Sequence, residues 1–152
     1  TSASALAVAS ALVKLGIDVV DISSHLYRCR SAQKTRLIGR ALGSLQLHAG
    51  GRISTLVLTA QDFAMSGANE RDCDGIVEYG REVDGVEVAA LVREMHDHVF
   101  KISLRSKYYA DVRKVAETLG GGGHERASGC KYTGELSELL PLLVERLEGI
   151  LA

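Results

Sequence analysis

Apolar residues recur at helical spacing over residues 2–15 (Ala5, Val8, Ala9, Leu12, Val13), which predicts an opening helix stopped by Gly16. Asp18, with Asp21 three residues on, reads as the cap of a second short helix through Leu26. Ser31 can cap a third. There Leu37, Ile38, Ala41, Leu42 and Leu45 keep the helical period, while Lys34, Arg36 and Arg40 form a cationic outer side that is expected simply to be solvated.

The period then changes. Leu45 to Ala49 and Arg52 to Thr59 read as a hairpin joined at Gly50-Gly51, and the nearly continuous apolar run Ile53 to Leu58 predicts an internal strand. Thr59 with Asp62 caps a short helix ending near Gly67. A polar loop from Asn69 to Asp74 then leads into a helix around Ile76, Val77 and Tyr79. Glu70, Asp72 and Asp74 do not fit a calcium loop, whose glycine and terminal glutamate are misplaced here, so they read as helix-start acids. Val86 to Arg93 and Val99 to Ser106 predict two strands with a tip at Glu94 to His98. His96 and His98 lack a third metal ligand and are expected to be inert.

The strand Val99 to Ser106 has two unlike faces. Phe100, Ile102 and Leu104 should pack, and Lys101, Ser103 and Arg105 on the other side suit an anion. A guanidinium is well matched to phosphate, and Arg105 ends its strand. Tyr108-Tyr109 follows and offers a surface on which a base could stack. Asp111 caps a helix (Val112, Val115, Ala116, Leu119) that runs into Gly120-Gly121-Gly122-Gly123-His124-Glu125-Arg126-Ala127-Ser128-Gly129. Consecutive glycines are costly to order, so this run reads as a loop of successive backbone amides cradling phosphate. His124 and Arg126 would be further donors, and small residues lie behind the loop. A short strand around Cys130 to Tyr132 and a last helix (Leu136, Leu139, Leu140, Leu143, Leu147, Ile150), started or kinked by Pro141, complete the chain.

Composition narrows the function. The chain has 152 residues, 46% hydrophobic and 24% charged, with no tryptophan, so one ordinary domain or two small ones with an aliphatic core are expected. A formal net charge of −1 lacks the basic excess of proteins that hold long nucleic acid, so an anionic partner should be small. Cys29, Cys73 and Cys130 are read as free thiols. No apolar run approaches a membrane span and the Ala/Ser-rich start lacks a basic flank, which points to a cytoplasmic protein without a membrane partner. The start at Thr1, without methionine, is what a fragment would show.

Taken together, Lys101-Ile102-Ser103-Leu104-Arg105-Ser106, the helix after it and the stretch GGGGHERASG over residues 120–129 closely resemble the C-terminal substrate-binding domain of the DHH/RecJ-type phosphoesterases. The match is closest to the NrnA-like branch, which joins oligoribonuclease and pAp phosphatase activities. It covers roughly residues 31–152, and residues 1–30 resemble the helical connector from a catalytic domain. The implied fold is α/β, a mixed central sheet of about five strands flanked by helices, with that connector at the N-terminus.

The resemblance assigns substrate binding to Arg105, Gly121, Gly122, Gly123 and His124, with Ser103 on the same strand. It implies a short nucleotide or oligonucleotide phosphate as ligand, an upstream DHH catalytic domain as intramolecular partner, and a homodimer as one compatible assembly. The catalytic domain of the family binds two manganese ions through aspartates and an Asp-His-His sequence. That sequence is absent here, so this chain is expected to hold no metal ligand and no catalytic residue, and to be the recognition half of the enzyme. The alternatives are an exopolyphosphatase-type or cyclic-dinucleotide phosphodiesterase domain, a non-catalytic nucleotide-binding module, or a dimerisation domain with a vestigial glycine loop. Two departures stand out: Tyr108-Tyr109 is bulkier than the family pattern, which leaves base preference open, and Ser128 stands where alanine is common.

Overall fold

The computed structural model describes residues 1–96 and 98–151, and of Arg28 the backbone alone; the Asp97 part of the expected hairpin tip lies outside the described residues. The chain divides into two compact units, Thr1–Ala32 and Gln33–Ala152. In the first, α1 (Ala3–Lys14) is capped by Ser2. Asp18 caps α2 (Val19–Ser23) by accepting from the amides of Val20 and Asp21, and the chain continues into a wider π-type turn over Ser24–Arg28.

The second unit opens along α3 (Ala32–Gly43) and is built on a six-stranded sheet in the order β1-β2-β3-β4-β6-β5. Its strands are β1 (Gln46–His48), β2 (Ile53–Leu58), β3 (Val88–His96), β4 (Val99–Ser106), β5 (Gly122–His124) and β6 (Ala127–Thr133). Only β2 and β3 pair in parallel, joined through α4 (Ala60–Ser66) and α5 (Ile76–Glu82); the other neighbours are antiparallel. The local signals behave as their chemistry dictates. Thr59 and Asp62 form a reciprocal capping box, Gly67 ends α4 with φ 67°, and Gly50 and Gly51 turn the first hairpin with positive φ. Glu70 to Cys73 form a 3-10 turn whose Asn69 and Asp72 cap each other, so Glu70 and Asp72 sit at a helix start while Asp74 ends that turn.

The sheet has two differently treated faces. On one, Ile53, Val88, Phe100, Ile102, Leu104 and Cys130 pack under α6 (Val112–Thr118) and α7 (Leu136–Glu148), with Leu139, Leu143 and Leu147 fully buried. Pro141 lies within α7. On the other, Leu56, Leu58, Ala89 and Leu91 pack with Leu37, Ile38, Ile76 and Val77 from α3 and α5, covering the β2–β3 part of that face. The β4–β6–β5 part keeps polar and small residues.

Two expectations change. The sheet has a sixth strand because the glycine run is itself β5, paired with β6 along Gly122↔Gly129, Gly123↔Ser128 and His124↔Ala127. The small residues Ala127 to Gly129, read as packing behind a loop, are the start of β6. In the second hairpin β4 has the expected bounds, whereas β3 begins at Val88 and extends to His96, which shortens the tip.

Candidate functional site

Alternation along β4 buries Phe100, Ile102 and Leu104 and turns Lys101, Ser103 and Arg105 to the open face. Cross-strand register then builds that face in rows. Lys101 lies opposite Lys131 and, on β3, Arg93. Ser103 lies opposite Gly129, which pairs with Gly122, and Arg105 lies opposite Ala127, which pairs with His124. Thus Ser103, Arg105, Gly122 and His124, far apart in sequence, share one face. Across two strand spacings, Arg105 and His124 are about 10 Å apart at the backbone.

The glycines divide by task. Gly120, at φ 72°, and Gly121 close α6: their amides donate to the carbonyls of Glu117 (3.1 Å) and Ala116 (2.8 Å). Those two amides are therefore engaged within the chain, unlike the free row expected of an open loop. A Cβ on Gly121 would strike the Gly129 carbonyl oxygen and lie 2.5 Å from Cys130 Cβ, and one on Gly123 would lie 2.7 Å from both Ala127 O and Ser128 Cα. Close strand approach accounts for both. Gly123 belongs to the covered side, since its partner Ser128 is buried and donates its hydroxyl to the Val112 carbonyl at 2.8 Å. That bond gives Ser128 a structural task at the helix start. At Gly122 a Cβ would meet nothing within 4 Å, so the open face there is free space above bare backbone.

Arg105 is held in place. Its Nε donates to Glu78 Oε1 at 3.2 Å and its Nη1 to the Leu104 carbonyl at 2.9 Å, leaving Nη2 without a protein partner among the described residues. Glu78 is clamped in turn by Arg81, Nη2 to Oε2 at 2.6 Å. Beside Arg105 a recess of about 80 Å³ is lined by Ser103, Lys101 and Arg93 with Cys73 and Asp74. Arg93 is buried and engaged by Glu70, through the Glu70 carbonyl at 3.1 Å and Oε2 at 3.3 Å. His124 is exposed and has no side-chain partner among the described residues.

The segment after β4 is fixed by a residue whose role the sequence did not reveal. The buried carboxylate of Glu87 accepts backbone amides from Tyr108, Tyr109 (2.7 Å) and Ala110 (2.8 Å), while its own carbonyl accepts from Lys107. Tyr108 and Tyr109 consequently stand exposed, by 74% and 51%, rather than packed. A glutamate at the head of an apolar strand was the available signal; its partners lie more than twenty residues on. Glu78 and Lys131 were missed too, because their neighbours are set by tertiary contact.

Other candidates do not join the site. Arg126 donates Nη1 to the Ala110 carbonyl at 2.8 Å. His98 pairs with Glu135 at 3.0 Å, and among the described residues no three His, Cys, Asp or Glu side chains converge as a metal site. Arg40 pairs with Asp62 at 3.0 Å and Lys34 donates to the Asp74 carbonyl, so part of the cationic side of α3 is engaged in packing. The cysteines are free, and burial pushes the Cys130 thiol up to about 11. No helix among the described residues is long and apolar enough to cross a membrane.

Residues 53–152 match the model of the DHHA1 domain, and the chain belongs to that family. It is 33% identical over 134 residues to the bifunctional oligoribonuclease and PAP phosphatase NrnA of Thermus thermophilus, covering 88% of this chain and 39% of that protein. It is also 41% identical over 51 residues to oligoribonuclease NrnB of Bacillus subtilis, covering 33% of this chain and 13% of that protein. Among solved structures, an exopolyphosphatase-related protein from Bacteroides fragilis superposes with a TM-score of 0.90 at 26% identity, over 98% of this chain and 44% of that one. The chain thus spans less than half the length of these relatives.

Proposed function

We propose that this chain is the substrate-recognition domain of a phosphoesterase that hydrolyses short oligoribonucleotides, pAp or related nucleotides. The observation that carries the reading is the open sheet face itself, where Ser103, a braced Arg105 and an unpartnered His124 surround a floor of bare backbone at Gly122 and Gly129. Arg105 Nη2 and the His124 ring offer donors to phosphate oxygens, and the side-chain-free floor lets a sugar or base lie close. Exposed Tyr108 and Tyr109 supply a stacking surface nearby. The names of the NrnA and NrnB relatives support the substrate class.

Hydrolysis then belongs to an upstream DHH domain of the same polypeptide. Manganese, which the resemblance implies, would be held in that domain, since no donor set for it converges among the described residues here. What the open face contributes is orientation: a substrate held by its phosphate presents the reacting group in one geometry, which lowers the barrier entropically. A cytoplasmic location and Arg105, Ser103, His124 and Gly122 as the binding set complete the proposal, with Gly121 and Gly123 serving the close approach of β5 to β6 that holds Gly122 in place. An exopolyphosphatase-type role, which the name of the Bacteroides relative suggests, would leave the exposed tyrosines without a base to stack on.

Calorimetric titration of the chain with pAp and with a dinucleotide tests this. Binding that weakens at least tenfold in both Arg105→Ala and His124→Ala supports the reading. Equal affinity in the variants removes these residues from the site.

A further inference from the structure

We propose that Arg81 is a positioning residue for the phosphate site: by holding one oxygen of Glu78, it keeps part of the Arg105 guanidinium free for the ligand. The inference rests on the reading of Arg105 as a phosphate donor and adds what sets its strength. Glu78 and Arg81 lie three residues apart on α5, so they are neighbours on the helix surface. The helix itself is seated tightly on the sheet, since a Cβ on Gly80 would lie 2.7 Å from Ser54 Oγ and 2.8 Å from Leu56 Cδ1. The Glu78 carboxylate thus reaches β4 from a fixed base, and its two oxygens are divided. Oε1 accepts from Arg105 Nε at 3.2 Å, and Oε2, shut off from solvent, lies 2.6 Å from Arg81 Nη2.

That division decides what Arg105 can do. A carboxylate and a guanidinium left to themselves favour two parallel bonds, from Nε and Nη2 to the two oxygens. Such a pair would consume Nη2 and neutralise the charge a phosphate needs. With Oε2 drawn to Arg81, Arg105 makes one bond to Glu78 and one, through Nη1, to the Leu104 carbonyl. Its orientation is fixed while Nη2 stays available, and two cations sharing one carboxylate leave a net positive charge. Without Arg81 a sealed carboxylate oxygen loses its counter-charge, and the guanidinium already bonded to Oε1 is placed to replace it.

A double-mutant cycle read by 15N NMR titration with pAp, which measures even millimolar affinities, tests this. Arg81→Ala should weaken pAp binding at least fivefold, and Arg81→Lys, which keeps a cation beside Oε2, should recover it to within threefold of the original chain. Glu78→Gln keeps an acceptor for Arg105 Nε and removes the competing charge, so it should bind at least as tightly as the original chain. In that background Arg81→Ala should change the affinity less than twofold. A fivefold loss that persists in Glu78→Gln/Arg81→Ala, as it would if Arg81 simply attracted anions or supported the fold, overturns the inference. Unchanged affinity in Arg81→Ala alone overturns it too. If either happens while Arg105→Ala weakens binding tenfold, only this inference fails. If Arg105→Ala leaves pAp affinity unchanged, the underlying reading fails with it.

Discussion

The two faces of β4 and β6 are made from the same backbone, yet they obey different rules. Towards α6 and α7, Phe100, Ile102, Leu104 and Cys130 alternate into a closed aliphatic layer where every side chain is covered. Towards the other side, Lys101, Ser103, Arg105 and Lys131 stand beyond the apolar cover that α3 and α5 give to β2 and β3, with Glu78 of α5 reaching across to Arg105. The first face supplies stability, because burial of apolar area drives folding. The second contributes little to it and even carries a like-charge pair. A sheet lets these tasks be separated one residue apart, so substitutions on the two faces should separate stability from binding.

The largest expected effect is on the covered face. Leu104→Ala leaves a cavity among fully buried side chains and should lower unfolding free energy by about 2–5 kcal/mol in urea titrations. The chain that remains folded should keep its nucleotide affinity; a matching tenfold affinity loss would break the separation of faces. Next comes Glu87→Gln, which weakens an acceptor for buried amides and should cost about 1–3 kcal/mol. It should also speed hydrogen exchange at Tyr109 and Ala110, and unchanged exchange would mean the loop is held by other contacts.

A smaller effect is pH-dependent. Burial raises the Asp62 carboxyl, but the Thr59 amide and hydroxyl and the Arg40 guanidinium outweigh it and hold the group below its ordinary value. The folded form therefore favours the ionised carboxylate, and its contribution is complete above the usual carboxylate range and is lost as pH falls through the lowered folded value. Asp62→Ala should cost about 1 kcal/mol at pH 7, with the gap to the original chain closing towards pH 3 in thermal unfolding. The smallest effect has the opposite sign: Lys131→Thr on the open face should leave stability unchanged or raise it by up to about 1 kcal/mol, since it removes a facing charge. A clear destabilisation would show that the Lys131 side chain contributes packing that outweighs the facing charge.

Much of this architecture was legible in the sequence wherever the deciding contact is local. Asp18, Thr59 with Asp62, and Asp111 cap helices because each carboxylate or hydroxyl reaches an amide only two or three residues ahead. The two faces of β4 follow from alternation alone. The glycine run was legible as unusual but not as a strand, because its partner β6 and the carbonyl of Gly129 that excludes a Cβ at Gly121 are set by how the sheet closes.

By itself, then, the sequence determined the capped helix starts, the amphipathic strand and the unusual chemistry of residues 120–129, all properties of neighbours along the chain. Only the tertiary structure decided that His124 shares a face with Arg105, that Lys131 confronts Lys101, that Glu78 braces Arg105 and that Glu87 holds up Tyr108 and Tyr109. Those relations depend on register between strands distant in sequence. A slip of one residue would turn every side chain to the opposite face, and what excludes it is burial of the other face under α6 and α7.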